Sequence, residues 1–108
     1  MSLNPSTHEV KIGGKIIHGF LIEMANAVIA LIWEGSVPRL GTTTITLPDR
    51  SSSQVIGERD VIISKMIGER IAVSYNKLAM VSTNLSRDFN LDQELIVLLD
   101  KLTGEENE

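Results

Sequence analysis

The chain contains no cysteine, and aromatic residues make up only 4% of it. Without cysteine, disulfide bonds and thiolate chemistry are excluded, and a metal site would lack its softest ligand. The net charge of -4 comes mainly from glutamates that follow Gly104, so the body of the chain is nearly neutral. A nucleic-acid surface needs clustered basic residues and exposed rings, and we therefore expect no nucleic-acid partner.

Long apolar runs are also missing from the sequence. No stretch reaches the 18 or more apolar residues that indicate a transmembrane helix. Residues 1–6 have neither the basic nor the apolar region of a signal peptide, so we expect a soluble, cytoplasmic protein that does not bind membranes. A length of 108 residues fits one domain over residues 1–108, with flexible ends at 1–6 and 104–108.

The first half of the chain has the pattern of an antiparallel meander. Thr7–Ile12 alternates polar and apolar residues and ends at two glycines, which suit the positive φ angles of a two-residue hairpin. Lys15–Met24 is apolar on both faces, and a turn at Ala25-Asn26 leads into a third strand that ends at Trp33. A fourth strand, rich in threonine, is predicted at Gly41–Leu47.

The second half of the chain predicts two helices and a hairpin. Apolar residues recur at helical spacing from about Gln54 to Glu69, and Gly68 is a natural stop signal. Arg70–Asn76 and Ala79–Leu85 alternate as the two strands of a hairpin. Asn90 caps a closing helix with one leucine stripe. The stripe consists of Leu91, Leu95, Leu98, Leu99 and Leu102.

The predicted fold is α+β: a six-stranded antiparallel sheet, a meander plus a hairpin, with two helices on one face. Lys15–Met24 and Val28–Trp33 present apolar groups to both sides of this sheet, and burying such groups is favourable. We therefore expect a sheet-on-sheet dimer, with the chain itself or with a paralogue. A sheet that curls on itself and a loop folded over it are the alternatives. The expected interface residues are Phe20, Ile22, Ile29, Leu31 and Trp33.

The polar residues form no convincing catalytic, metal-binding or cofactor-binding arrangement. His8 and His18 lie on adjacent predicted strands, where a histidine usually packs or remains half exposed. Asp49, Glu58 and Asp60 lack the glycine-punctuated spacing of a calcium-binding loop. We therefore expect no enzymatic activity, no cofactor and no metal.

The segment from Pro48 to Ser53 is the most loop-like part of the body, because proline is followed by small side chains that compete for backbone hydrogen bonds. We expect it to be exposed and mobile. Loops held by a rigid scaffold commonly carry recognition. The expected partner-binding residues are Arg39, Asp49, Arg50, Ser51, Ser52 and Ser53.

Two stretches of the sequence resemble the proteasome assembly chaperones three and four. Trp33–Leu40 has the pattern Trp-x-Gly-x-x-Pro-x-Leu at the end of an apolar strand, and Arg70–Asn76 contains Val-Ser-Tyr-Asn, as in the strand that enters a hairpin of chaperone four. The order of elements matches over roughly residues 7–102. The chain differs from the eukaryotic members in lacking cysteine and in its short ends, which leaves open an archaeal or otherwise divergent relative.

The resemblance implies an antiparallel sheet with helices, dimerisation through the sheets, and a non-catalytic role in assembling the proteasome α-ring. Such a protein would hold proteasome α-type subunits through exposed loops. The alternative is a small ligand-binding or regulatory α+β module, with weak hydrolytic chemistry near His18 or Asp49. A pocket with converging polar groups would favour this module, whereas a flat sheet dimer without a cleft would favour the chaperone.

Overall fold

A computed structural model describes residues 5–57, 61–86 and 93–104 of the chain. These residues form an α+β fold, as the sequence predicts. Its strands are β1 (Ser6–Ile12), β2 (Lys15–Glu23), β3 (Ala27–Glu34), β4 (Thr42–Thr46), β5 (Ser52–Ile56) and β6 (Leu78–Asn84). Its helices are α1 (Val61–Tyr75), between β5 and β6, and α2 (Gln93–Thr103), after β6.

The six strands form one sheet in the spatial order β1-β2-β3-β6-β4-β5. Neighbouring strands are antiparallel except β3 and β6, which run parallel, with Ala27 opposite Leu78. A parallel pair needs a crossover connection, and the β4–β5 hairpin and α1 together provide it. The sheet is therefore mixed, and the prediction of a purely antiparallel sheet is wrong at the β3–β6 pair. The predicted meander is confirmed for β1, β2 and β3 but not for β4, because β6 lies between β3 and β4.

The predicted strand at Arg70–Asn76 is wrong, because residues up to Tyr75 continue α1. The buried side of α1 repeats every three or four residues, as a helix packed on a sheet requires. Two residues on this buried side are a serine and a glycine, so the spacing of apolar residues in the sequence does not reveal the buried side of the helix. The buried residues are Ser64, Ile67, Gly68, Ile71 and Ala72.

The predicted helix at Gln54–Glu69 begins too early, because Ser52–Ile56 forms the edge strand β5. Pairing with β4 supplies the backbone hydrogen bonds of this strand, which outweighs the weak strand preference of its polar residues. The strand predicted at Ala79–Leu85 is confirmed as β6, although it pairs with β3 and β4 rather than within a hairpin. The predicted cap at Asn90 lies outside the described residues.

Both helices pack on the same face of the sheet, which confirms that part of the prediction. α1 contacts mainly β4 and β6, while α2 contacts β1 and β2. Gly19 of β2 provides room for α2, because a Cβ at this position would lie 2.6 Å from Cδ1 of Leu102. The leucines of α2 are in the core as predicted. Those described are Leu95, Leu98, Leu99 and Leu102.

Candidate functional site

The face of the sheet turned away from the helices carries a band of apolar side chains. Residues Ile17 and Leu21 of β2 are buried beneath the helices, so the alternate residues of the strand point to the other side. Phe20 lies directly opposite Leu31 of β3, and Ile22 lies opposite Ile29. All four side chains remain only half-buried.

The band continues across the parallel pair into the second half of the sheet. Ile29 lies beside Met80 of β6, and Met80 lies beside Ile45 of β4. Met80 is 36% exposed, which is high for a residue on a central strand. We call this surface the open face. It comprises Phe20, Ile22, Ile29, Leu31, Trp33, Ile45 and Met80.

The open face contains all five residues that the sequence predicts for a dimer interface. The sheet brings them together in two adjacent strands, with Trp33 opposite His18 at one end. Sequence reasoning missed Ile45 and Met80, because their place beside Ile29 depends on the parallel β3–β6 pairing. Once the strand order is known, the alternation of side-chain direction along β4 and β6 places Ile45 and Met80 on the open face.

One end of the open face holds an aromatic pair with a carboxylate beside it. The rings of His18 and Trp33 stack with centroids 5.4 Å apart and an interplanar angle of 12°. His18 Nδ1 lies 3.6 Å from Glu9 Oε1. The indole Nε1 of Trp33 is buried and has no hydrogen-bond partner among the described residues.

A shallow depression of about 530 Å³ lies at this same end. Thr7, Glu9 and His18 are among its lining residues, and it is open to solvent. His8 also borders it, but His8 and His18 do not converge, because His8 is paired with Gly19 and therefore points to the opposite face from His18. His8 and His18 therefore lie on opposite faces of the sheet.

The β4–β5 turn is held by its own hydrogen bonds. Leu47 N donates to Ser51 O at 2.9 Å, and Arg50 N donates to Leu47 O at 2.8 Å. Arg50 has a φ of 75°, in the left-handed region. Asp49 Oδ1 accepts bonds from the Ser51 hydroxyl at 2.6 Å and from Ser51 N at 2.9 Å. Both bonds favour the charged carboxylate and lower the pKa of Asp49 below its ordinary value of 3.8. The bond from the Ser51 hydroxyl has the larger effect, and the bond from Ser51 N has the smaller one.

The predicted partner-binding residues occupy two separate places. Asp49, Arg50 and Ser51 lie exposed in the β4–β5 turn, while Ser52 and Ser53 belong to β5 rather than to a loop. Arg39 is exposed in the connection that precedes β4. β4 spans five residues, or about 17 Å, so Arg39 and the turn lie at opposite ends of this strand.

Neither a metal-binding cluster nor a membrane-spanning helix is found in the part of the chain that the structure describes. Within residues 5–57, 61–86 and 93–104, no three histidine, cysteine, aspartate or glutamate side chains are grouped so that they would hold a metal ion. Neither of the helices in these ranges is long and apolar enough to cross a membrane. Glu58 and Asp60, which together with Asp49 lack the spacing of a calcium-binding loop, lie outside the described residues.

Comparison with solved structures finds a similar fold in a chaperone complex. The structure is described as that of a novel chaperone complex for yeast 20S proteasome assembly, and the TM-score is 0.59. The alignment covers 99% of this chain and 92% of the yeast chain, at 8% sequence identity. At this identity the likeness shows a shared fold. No family model and no curated protein matches the sequence.

Proposed function

We propose that this protein is a cytoplasmic, non-enzymatic assembly chaperone that dimerises and binds proteasome α-type subunits. The observation that carries the proposal is the similarity of fold to a chain of a yeast proteasome assembly chaperone complex, over 99% of the present chain. Because a fold alone does not specify a function, the proposal also needs surfaces suited to protein partners. The chain presents two kinds of such surface.

The open face supports dimerisation. Its apolar side chains are half-buried on one side of a sheet whose other side is packed by helices. Burying the exposed part of each would contribute on the order of 1 kcal/mol, since full burial of an exposed side chain contributes about 1.5 to 3 kcal/mol. A second copy presents the same flat apolar surface. Two such sheets pack face to face about 10 Å apart around a two-fold axis. We therefore assign the dimer interface to the open face.

The connections at the two ends of β4 support client binding. Val37 and Leu40 are 56% and 66% exposed on either side of Arg39. At the other end of β4, the Ser51 bonds fix the carboxylate of Asp49 in place beside Arg50. Both places expose charged side chains at the ends of a strand of the sheet, which is typical of recognition surfaces on a rigid scaffold.

The test is binding of the purified chain to individual proteasome α-type subunits, with β-type subunits as the negative control. We expect capture of one or more α-type subunits. The triple variant Arg39→Gln/Asp49→Asn/Arg50→Gln should weaken this capture without changing the mass of the chaperone in solution. Lys11→Gln, which removes an exposed charge from β1, is the matched control and should bind normally.

The possible results distinguish a wrong client-binding site from a wrong function. Equal capture by the wild type and the triple variant would reject the two ends of β4 as the client site while the chaperone function stands. Capture of no α-type subunit by the wild type would reject the chaperone function itself.

A second candidate is a small ligand-binding or regulatory module, favoured by the depression beside His18. Its polar lining includes His18 and Glu9, but the two side chains approach only to 3.6 Å and Glu9 is largely exposed. A small molecule that raises the melting temperature of the wild type, but not of His18→Gln, would support this candidate. If no molecule in a broad metabolite library has this effect, the result counts against this candidate.

A further inference from the structure

The two edges of the sheet differ in how they are protected against pairing with another strand. β1 and β5 are the edge strands, and in the part of the chain that the structure describes each of them pairs with one neighbour only. β1 carries the charged residues Glu9 and Lys11, and charges on an edge strand discourage further pairing. β5 has the sequence Ser-Ser-Gln-Val-Ile, with neither a charge nor a proline, and all of its residues after Ser52 are exposed. β5 can therefore accept a further strand.

The hydrogen bonds between β4 and β5 show which backbone groups of β5 point away from the sheet. Leu47 N donates to Ser51 O at 2.9 Å, so Ser51 is at a hydrogen-bonded position. Hydrogen-bonded and non-hydrogen-bonded positions alternate along an antiparallel pair, so Ser53 is again hydrogen-bonded to β4. Ser52 and Gln54 occupy the alternate positions. Their N–H and C=O groups therefore point outward, away from β4.

A second copy of β5 fits these outward groups. When two copies run antiparallel about a two-fold axis at Ser53, Ser52 of each copy lies opposite Gln54 of the other. Each such pair exchanges both of its backbone N–H···O bonds. All the outward groups of Ser52 and Gln54 are then satisfied by one register.

The side chains in this register are also compatible with a second copy. Ser53 meets its own copy, and Ser52 meets Gln54, which are pairs of side chains that can hydrogen-bond to each other. The side-chain Nε2 of Gln54 donates to Gly57 O, so its Oε1 can accept a bond from the Ser52 hydroxyl. The three residues at the centre of the pairing are uncharged, so no like charges oppose each other there.

We propose that two copies of the chain associate edge to edge through β5 and continue the sheet across a two-fold axis at Ser53. The regular part of the edge is short, because the register with β4 shifts between Thr43 and Thr44. The association is therefore weak, with a Kd of about 0.1 to 1 mM. It leaves the open face uncovered, so two dimers formed by the open face can join through β5. The proposal goes beyond the assembly-chaperone function and does not depend on it.

The first test is analytical ultracentrifugation of Leu31→Lys, in which a charge on the open face removes that other route to a dimer. At about 1 mM this variant should form a reversible dimer. Adding Gln54→Pro should leave it monomeric at the same concentration. The N–H that proline lacks points outward at this position, so the pairing with β4 is kept while the new edge bonds are lost.

Gln54→Ala in the same Leu31→Lys background is the matched control. It keeps the outward N–H and should still form the dimer. The melting temperature of each variant checks that the fold is preserved. If Leu31→Lys is monomeric at about 1 mM, or if Gln54→Pro does not reduce its association, the proposal is wrong.

The second test uses the absence of cysteine from the chain. In the proposed register Ser53 and its copy form a non-hydrogen-bonded pair with Cα atoms about 4.5 Å apart, which is within the range of a disulfide bond. Ser53→Cys in the Leu31→Lys background should therefore give a disulfide-linked dimer on air oxidation. Thr7→Cys, at an exposed position of the other edge strand, is the control and should cross-link about tenfold more slowly. Equal rates at the two positions would overturn the proposal, whether or not Gln54→Pro folds.

Discussion

Gly68 of α1 and Thr46 of β4 are packed so closely that no side chain fits between helix and sheet at this point. A Cβ on Gly68 would lie 2.5 Å from Thr46 Oγ1. One turn earlier, the hydroxyls of Ser64 and Thr44 are hydrogen-bonded at 3.0 Å. α1 therefore approaches β4 through small and hydroxyl-bearing residues, and large apolar side chains take up the packing farther along the helix.

The Gly68–Thr46 contact predicts the effect of adding one methyl group. Gly68→Ala gains about 1 kcal/mol of helix preference, but overpacking against Thr46 costs about 1 to 3 kcal/mol. We expect the free energy of unfolding, measured in urea, to fall by about 1 kcal/mol. Thr46→Ala should relieve the clash, so the double variant should be more stable than the sum of the single effects predicts. Strictly additive effects would contradict the close packing.

The leucine stripe of α2 predicts a large loss on truncation. Leu98 is completely buried and its Cδ1 would lie 3.3 Å from a Cβ at Gly19, so Leu98→Ala leaves a cavity above β2. The free energy of unfolding should fall by about 2 to 5 kcal/mol. Val97→Ala, next to it on the exposed side, should change stability by less than about 0.5 kcal/mol. Similar values for the two variants would be inconsistent with the packing described.

If the open face forms the dimer interface, a charge placed on it should prevent dimerisation. Light scattering at micromolar concentration should give about twice the chain mass of 11.9 kDa for the wild type. Leu31→Lys places a charge in the middle of the open face and should give the monomer mass with an unchanged circular dichroism spectrum. Val97→Lys on the exposed side of α2, in the helix layer on the other side of the sheet, is the control and should remain dimeric. A wild type that stays monomeric at high concentration would refute the interface.

The lowered pKa of Asp49 predicts an acid-dependent contribution to stability. The hydrogen bonds from Ser51 favour the charged carboxylate, so the contribution is complete above the ordinary pKa of 3.8 and is lost as the pH falls through the lower folded value. The difference in unfolding free energy between the wild type and Asp49→Asn should therefore shrink between about pH 5 and pH 2. If this difference grows as the pH falls, the prediction is wrong.

The elements with a regular pattern of large apolar residues were predictable from the sequence. Alternation in Thr7–Ile12 predicted β1 to within one residue of its observed bounds, and the leucine stripe predicted α2, which is described over Gln93–Thr103. The second half of α1 was not predictable in this way, because Ile71, Val73 and Tyr75 also alternate like a strand. Its true stripe contains Gly68, whose role depends on the distance to Thr46 and is invisible in the sequence.

The open face was predicted only in part, for a reason that lies in topology. Phe20 and Leu31 belong to strands that are neighbours in both sequence and space, so local patterns placed them on one face. Ile45 and Met80 join them only because β6 inserts between β3 and β4.

The parallel pairing of β3 with β6 has a consequence for the order of folding. Ala27 and Leu78 are separated in the sequence by β4, β5 and α1, whereas the strands of the β1–β2, β2–β3 and β4–β5 pairs are joined by short connections. Because distant contacts require a costly loop closure, the local hairpins are expected to form first and the β3–β6 seam last. In urea chevrons, Val81→Ala in the seam should then accelerate unfolding while barely slowing refolding.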